Sequence, residues 1–284
     1  MGNRYDHRVL VPVDILGGES VPSTVVDAFA SVPVVLLGYR EIPDQTATEQ
    51  ARAEFGDRAR VKLDELASAF EAAGCPVTTR LVFTHDRFET FERVALADGC
   101  DAVLLPNPAP GLERVLVAIR GGVNVEYIVE LVAAVFADTE VGVTIFHVAE
   151  SDADRDRKRE ALDEAAATLV ERGIGRDRID VTVAIDGSPT DAIVDAADDH
   201  DLLVVGESRP SIRRFIFRDR AKRIARRTVD PVLVIRGEYL EADDELSDVG
   251  ADVETDDEPS DVGADIETDA EPSNTDETAE GQEP

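Results

Sequence analysis

Two rhythms of apolar residues alternate along the first 236 positions. Short runs of Val, Leu and Ile are followed by longer stretches in which apolar positions recur every three or four residues. The runs read as strands of a parallel sheet buried on both faces, and the stretches as amphipathic helices. Strands are predicted at 7–15, 32–39, 76–83 and 101–105, with helices at 21–30, after residue 49 and at 87–97. Thr46 and Glu49 have the spacing of a capping box, in which a hydroxyl and a carboxylate three residues on satisfy each other's free amides. Ala59, Leu63, Leu66, Phe70 and Ala73 then share one face of a helix that Gly74 stops.

After Leu105 the rhythm breaks. Eight residues, three of them proline, fill 106–113 before the next apolar run. A parallel crossover needs about a dozen residues or more, so this stretch predicts a linker (108–113) and a new unit. That unit repeats the first: RVLVAIR at 114–120 answers RVLVPVD at 8–14. A helix at 123–136, a strand at 141–148, a helix at 154–171 with Leu162, Ala165, Ala166 and Leu169 inward, and a strand at 179–185 follow. Ser188 has the place of an N-cap, with Pro189 at the first helical position and Asp191 in the first turn. A strand at 202–205, a loop, a basic helix at about 215–229 and a fifth strand at 231–235 complete the unit. The expected fold is two tandem three-layer α/β/α parallel-sheet repeats, 7–107 with four strands and 114–237 with five.

Charge changes the picture mainly at the end. Of 61 acidic residues, 20 lie beyond residue 236, where there is no Lys or Arg; the remainder of the chain is at −12 out of a total of −32. Residues 247–259 and 260–272 are two copies of one acidic 13-residue repeat. With so few apolar groups, 238–284 is expected to be a disordered tail. An acidic body argues against nucleic-acid binding. Only three basic residues are lysine (Lys62, Lys158, Lys222), a composition that suits a halophilic host. The polar start lacks the apolar core of a signal peptide and no apolar stretch reaches membrane-spanning length, so a cytoplasmic chain without a membrane span is expected. Cys75 and Cys100 each precede a strand and read as small buried thiols. His7, His85, His147 and His200 have no metal-ligand spacing and read as structural or surface residues, and no metal site is expected. No phosphate-loop lysine motif, nucleophile elbow or Ser/His/Asp set is visible, so no catalytic residue is expected.

The ordered set RVLVPVD (8–14), DAIVDAADDHDLLVVGES (191–208), RPSIRRFIFRDRAKRIAR (209–226) and DPVLVIRG (230–237) resembles the universal stress protein family. The resemblance spans about 7–237, in a tandem, halophilic-archaeal form. It implies the adenine-nucleotide alpha-hydrolase-like fold and a non-enzymatic stress-response protein, in many members ATP-binding through a loop G-x-x-G-(nine)-G-[ST] and the Asp after the first strand. Glycines there let amides approach phosphates at a helix N-terminus. Carried over residue by residue, the ligand positions are Asp14, Arg120, Gly121, Gly206, Ser208, Arg209, Arg218 and Asp219. This chain departs from the pattern. Arg209 replaces the second glycine, Arg218 and Asp219 the final pair one residue early, and Arg120 the first-strand Asp, while the first repeat keeps Asp14 but lacks the loop. No cofactor is therefore certain; ATP, another adenine nucleotide or a different phosphorylated ligand is the expectation, arginine being able to grip phosphate bidentately. Gly121 and Gly122 fit a close-approach loop or a plain tight turn.

Nine cations fall within 209–227 against one acid, Asp219. Phe217, Ala221, Ile224, Ala225 and Thr228 define the opposite helical face, leaving Arg213, Arg214, Arg223, Arg226 and Arg227 to project outward. Such a helix is solvated or subunit-facing, or it is a surface for phosphate or an acidic protein partner, or it docks the acidic tail. The alternative function is accordingly a regulatory module that docks a partner, without nucleotide, through 213–227. The missing last strand of the first repeat leaves strand 231–236 free to pair with its copy in a homodimer, or else, in a swapped arrangement, to cover the first repeat itself.

Overall fold

Strands and helices do alternate as their apolar rhythm predicts. The computed structural model describes residues 7–106, 111–119, 125–207 and 231–236. In chain order the elements are β1 (Val9–Asp14), α1 (Ser23–Ala28), β2 (Val34–Glu41), α2 (Thr48–Ala72), β3 (Val77–Thr84), α3 (Arg87–Ala97) and β4 (Ala102–Leu105). There follow β5 (Arg114–Ala118), α4 (Val125–Phe136), β6 (Gly142–Ala149), α5 (Asp152–Glu171), β7 (Ile179–Ile185), α6 (Pro189–Ala197), β8 (Leu202–Glu207) and β9 (Val232–Arg236). The expected basic helix and acidic tail lie outside the described residues.

All nine strands join one sheet in the order β3-β2-β1-β4-β9-β8-β5-β6-β7. Every ladder is parallel except β4 with β9. The four-plus-five strand count holds, but the two sheets are fused. The expected free edge at 231–236 is corrected: β9 is interior, paired with β8 on one side and with β4 on the other, Val103 opposite Val234. The first repeat has no last strand of its own, and β9 of the same chain covers its open edge. The swapped alternative is thus the one realised, and pairing of this strand with a second copy is closed off.

Alternation along each strand sends side chains to two faces. One face carries α1, α2, α4 and α5 over a single core running through both halves, from Val9, Val11 and Phe29 to Val115, Val117 and Phe136. Phe29 and Phe136 meet edge-to-face, 6.2 Å between centroids, where the halves join. The other face holds two smaller cores, Leu10 with Phe91 of α3 and Leu116 with Ile193 of α6, and Leu105 packs against both.

Register shows how alike the halves are. Val9 stands between Val34 and Ala102, and Val115 between Val143 and Leu202. The same latch closes the start of each half. Arg8 N–H donates to Asp101 Oδ2 (2.6 Å) and Asp101 N–H to the Arg8 carbonyl (2.8 Å). Arg114 N–H donates to Asp201 Oδ2 (2.8 Å) and Asp201 N–H to the Arg114 carbonyl (2.8 Å). One difference follows from a single residue. Val9 N–H points to the β2 side, so Pro12, an odd number of positions on, stands where an amide would face β4. The β1·β4 ladder stops at Leu10, whereas β5·β8 continues to Ala118, the register equivalent of Pro12.

Helix ends depart from expectation in two places. α2 begins at Thr48 behind Ala47, with no side-chain cap, so the predicted capping box is not formed; Thr46 instead closes a turn onto the Pro43 carbonyl (2.9 Å). Ser188 does precede α6, but its hydroxyl donates to Asp191 (2.6 Å) rather than accepting from a backbone amide. Asp86 fills the cap role in the first half, accepting from Phe88 N–H (3.1 Å) and Glu89 N–H (3.0 Å). The carboxyl end of α4 is held by Arg178, whose guanidinium donates to the carbonyls of Phe136, Ala137, Thr139 and Val141.

Candidate functional site

In an open parallel sheet, ligands bind beyond the carboxyl ends of the strands, where successive connections leave in opposite directions. This sheet has two such points, between β1 and β4 and between β5 and β8. Because β4 and β9 are antiparallel, they open at opposite ends of the sheet. Gly206, at the end of β8, aligns with Ile235, which aligns with Ala102, which aligns with Val9 at the start of β1. Asp14 is five residues farther along β1, about 16 Å at the usual strand rise. The two described members of the expected ligand set therefore belong to separate places.

At the first point Asp14 is engaged. Its Oδ1 accepts from Gly17 N–H (2.8 Å), and Arg40 Nη1 lies 3.4 and 3.3 Å from its two oxygens. Its own amide donates to Glu19 Oε2 (2.6 Å). A side chain on Gly17 would stand 2.4 Å from Asp14 Oδ2, so only glycine lets this turn close on the carboxylate. Arg87 faces Glu41 at 4.0 Å and stacks over Phe88. The phenol of Tyr39 is pushed up to about 12, first by burial and then by Glu19, with Arg87 pulling the other way.

At the second point the described residues are Ile119, His147 and Gly206. Gly206 admits α4: a Cβ there would meet Ile128 Cδ1 at 2.5 Å. His147 is buried, and its Nδ1 donates to the Ile119 carbonyl (2.7 Å), fixing the end of β5 against β6. The expected positions Arg120, Gly121, Ser208, Arg209, Arg218 and Asp219 lie outside the described residues, as do Arg213, Arg214, Arg223, Arg226 and Arg227. Beside this end runs a seam between the halves that sequence reading did not find. Tyr127 Oη donates to Asp101, His7 packs edge-to-face on Tyr127 at 5.3 Å, and Arg236 N–H and Nη1 donate to the carbonyls of Asp101 (2.7 Å) and Cys100 (3.0 Å). These residues are far apart in sequence, and nothing local in the chain signals the contacts. Among the described residues no group of three or more His, Cys, Asp or Glu is placed to hold a metal ion, and no described helix is long and apolar enough to cross a membrane.

Residues 111–236 match the model of the universal stress protein family. No curated protein matches the chain. The fold is that of a universal stress protein from Archaeoglobus fulgidus, with a TM-score of 0.56 at 18% identity, covering 83% of this chain and 98% of that one. Another A. fulgidus universal stress protein, solved in complex with dAMP, is 23% identical and covers 43% of this chain and 97% of its own, with a TM-score of 0.35. A universal stress protein solved in complex with cAMP is 23% identical over 46% of this chain and 99% of its own, with a TM-score of 0.36.

Proposed function

We propose, from the match of residues 111–236 to the universal stress protein family, that this chain is a non-enzymatic stress-response protein that binds an adenine nucleotide or another phosphorylated ligand in its second half. The observation that carries this reading is the switch point between β5 and β8, framed by Gly206 and by the Ile119 end that His147 holds. The absence of a side chain at Gly206 lets Ile128 of α4 pack against the end of β8 beside that point. In the sequence, Arg120 and Arg209 stand where the family pattern has its Asp and second glycine. Those substitutions favour an anionic group and make charge, more than base recognition, the source of affinity. The adenine nucleotide is the family's ligand, and the arginines widen the class to other phosphorylated molecules.

Non-enzymatic action is part of the proposal and is motivated by the sequence, in which no catalytic motif is visible. Among the described residues the site offers a glycine and a buried histidine whose Nδ1 is already bonded to a carbonyl. Purified full-length protein, denatured in acid and analysed by mass spectrometry, is expected to release a nucleotide or phosphorylated metabolite in a fixed ratio to chain. Absence of any such compound, together with no melting shift on adding ATP, dAMP or cAMP, would refute the proposal.

A further inference from the structure

We infer that the first half's switch point is a structural latch rather than a second ligand pocket, so that the chain takes up one equivalent of ligand. This rests on the ligand reading for the second half, but it is carried by different residues. The halves superpose by register, and that register lets each position be compared. Val9 to Asp14 answer Val115 to Arg120, and β2 answers β6, so Arg40 answers Ala149. Likewise β4 answers β8, so Pro106 follows Leu105 as Gly206 follows Val205.

Three differences close the first half. Its acid is neutralised within the fold, since Asp14 faces Arg40 across the strand ends and also takes the Gly17 amide. In the second half Ala149 stands at the position of Arg40 and Arg120 at that of Asp14, so the sequence does not repeat this acid–cation pair. Second, the turn's own groups take up the donors and acceptors at this strand end. Gly17 closes on the carboxylate and Glu19 covers the Asp14 amide, which leaves that N–H unable to reach a phosphate. Third, Pro106 has no amide hydrogen to offer where Gly206 has one. Arg87, near the same strand end, is turned to Glu41 and the Phe88 ring. An adenine nucleotide thus fits the donor pattern of the first half poorly, and Asp14 serves to fasten the 14–19 turn to the end of β2.

The test uses the full chain and four variants: Asp14→Asn, Arg40→Gln, the two combined, and the charge-exchanged Asp14→Arg with Arg40→Asp. Calorimetric titration with ATP, dAMP and cAMP is expected to give one equivalent per chain for the wild type. Asp14→Asn should bind with an affinity within about twofold of wild type while melting about 2–4 °C lower, the shift that roughly one lost polar interaction produces in a chain of this size. The combined variant should melt close to Asp14→Asn, and the charge exchange should recover part of the loss. Two equivalents per chain, or a tenfold loss of affinity in Asp14→Asn, would overturn the inference. If none of the nucleotides binds the wild type, the ligand proposal fails by itself. The latch is then still decided by melting: additive effects of Asp14→Asn and Arg40→Gln would overturn it, and non-additive effects would support it.

Discussion

Single side chains here do their work by ending elements and sealing turns. Cys75 and Cys100 follow α2 and α3, each N–H reaching back to a helix carbonyl (Phe70, 3.0 Å; Ala95, 2.8 Å), and both thiols are buried and free. Burial pushes the Cys75 thiol up to about 11 and, with Asp98 adding to it, the Cys100 thiol up to about 12. An unfolded thiol ionises near 9.0, so above that pH the unfolded chain sheds protons first. The thiols' contribution to stability is therefore full below pH 9 and is lost as pH rises through 11 to 12. Replacing both by alanine should flatten the fall of the melting temperature on the alkaline side, and native wild type should resist thiol reagents at pH 8 until it is unfolded. Arg178 is the other residue to change. Its alanine variant removes the guanidinium donors of the Ala137, Thr139 and Val141 carbonyls just beyond α4, while Phe136 keeps Thr139, at an expected cost of about 1–3 kcal/mol in denaturant titrations. Lysine should recover only part of this, because one ammonium cannot reproduce the fork.

Elements were legible where burial on both faces makes a strand read as an apolar run, and the strand ranges agree with that reading within a residue or two. The capping box failed because its two residues fit a local template while the turn at Pro43 to Thr46 set the helix start instead. The place of β9 could not be read. Nothing in VLVIR distinguishes an edge from the centre, and its partners Leu104 and Val204 are chosen by tertiary packing. The same limit applied to the site. Asp14 was recognisable as a strand-end acid, but its engagement by Arg40 depends on which strand lies alongside. The interior place of β9 predicts a large effect from one backbone change. Val234→Pro should cost about 3 kcal/mol or more, or prevent folding, since Val234 is fully buried and the strand is paired on both sides. A near-native urea midpoint for that variant would contradict the nine-stranded sheet.

The molecule as a whole is an acidic chain at −32, and its halves diverge in chemistry while sharing a sheet. Self-repulsion of that charge is screened by salt, with a Debye length of about 3 Å at 1 M. The melting temperature should therefore rise between 0.1 and about 2 M KCl, and a steady fall across that range would contradict a repulsion-limited body. Sharing a sheet brings the first half's His7, Asp101 and Cys100 to the end where the second half's ligand would sit, and sends Asp14 to the other. The first half then acts as a fixed wall for the second, and its own switch point is fastened shut. Hydrogen–deuterium exchange of the full chain with and without saturating ATP tests this division most directly. The account predicts added protection in peptides covering 115–119 and 202–206, with 9–19 unchanged. Protection gained at 9–19 instead, or at neither end, would contradict it.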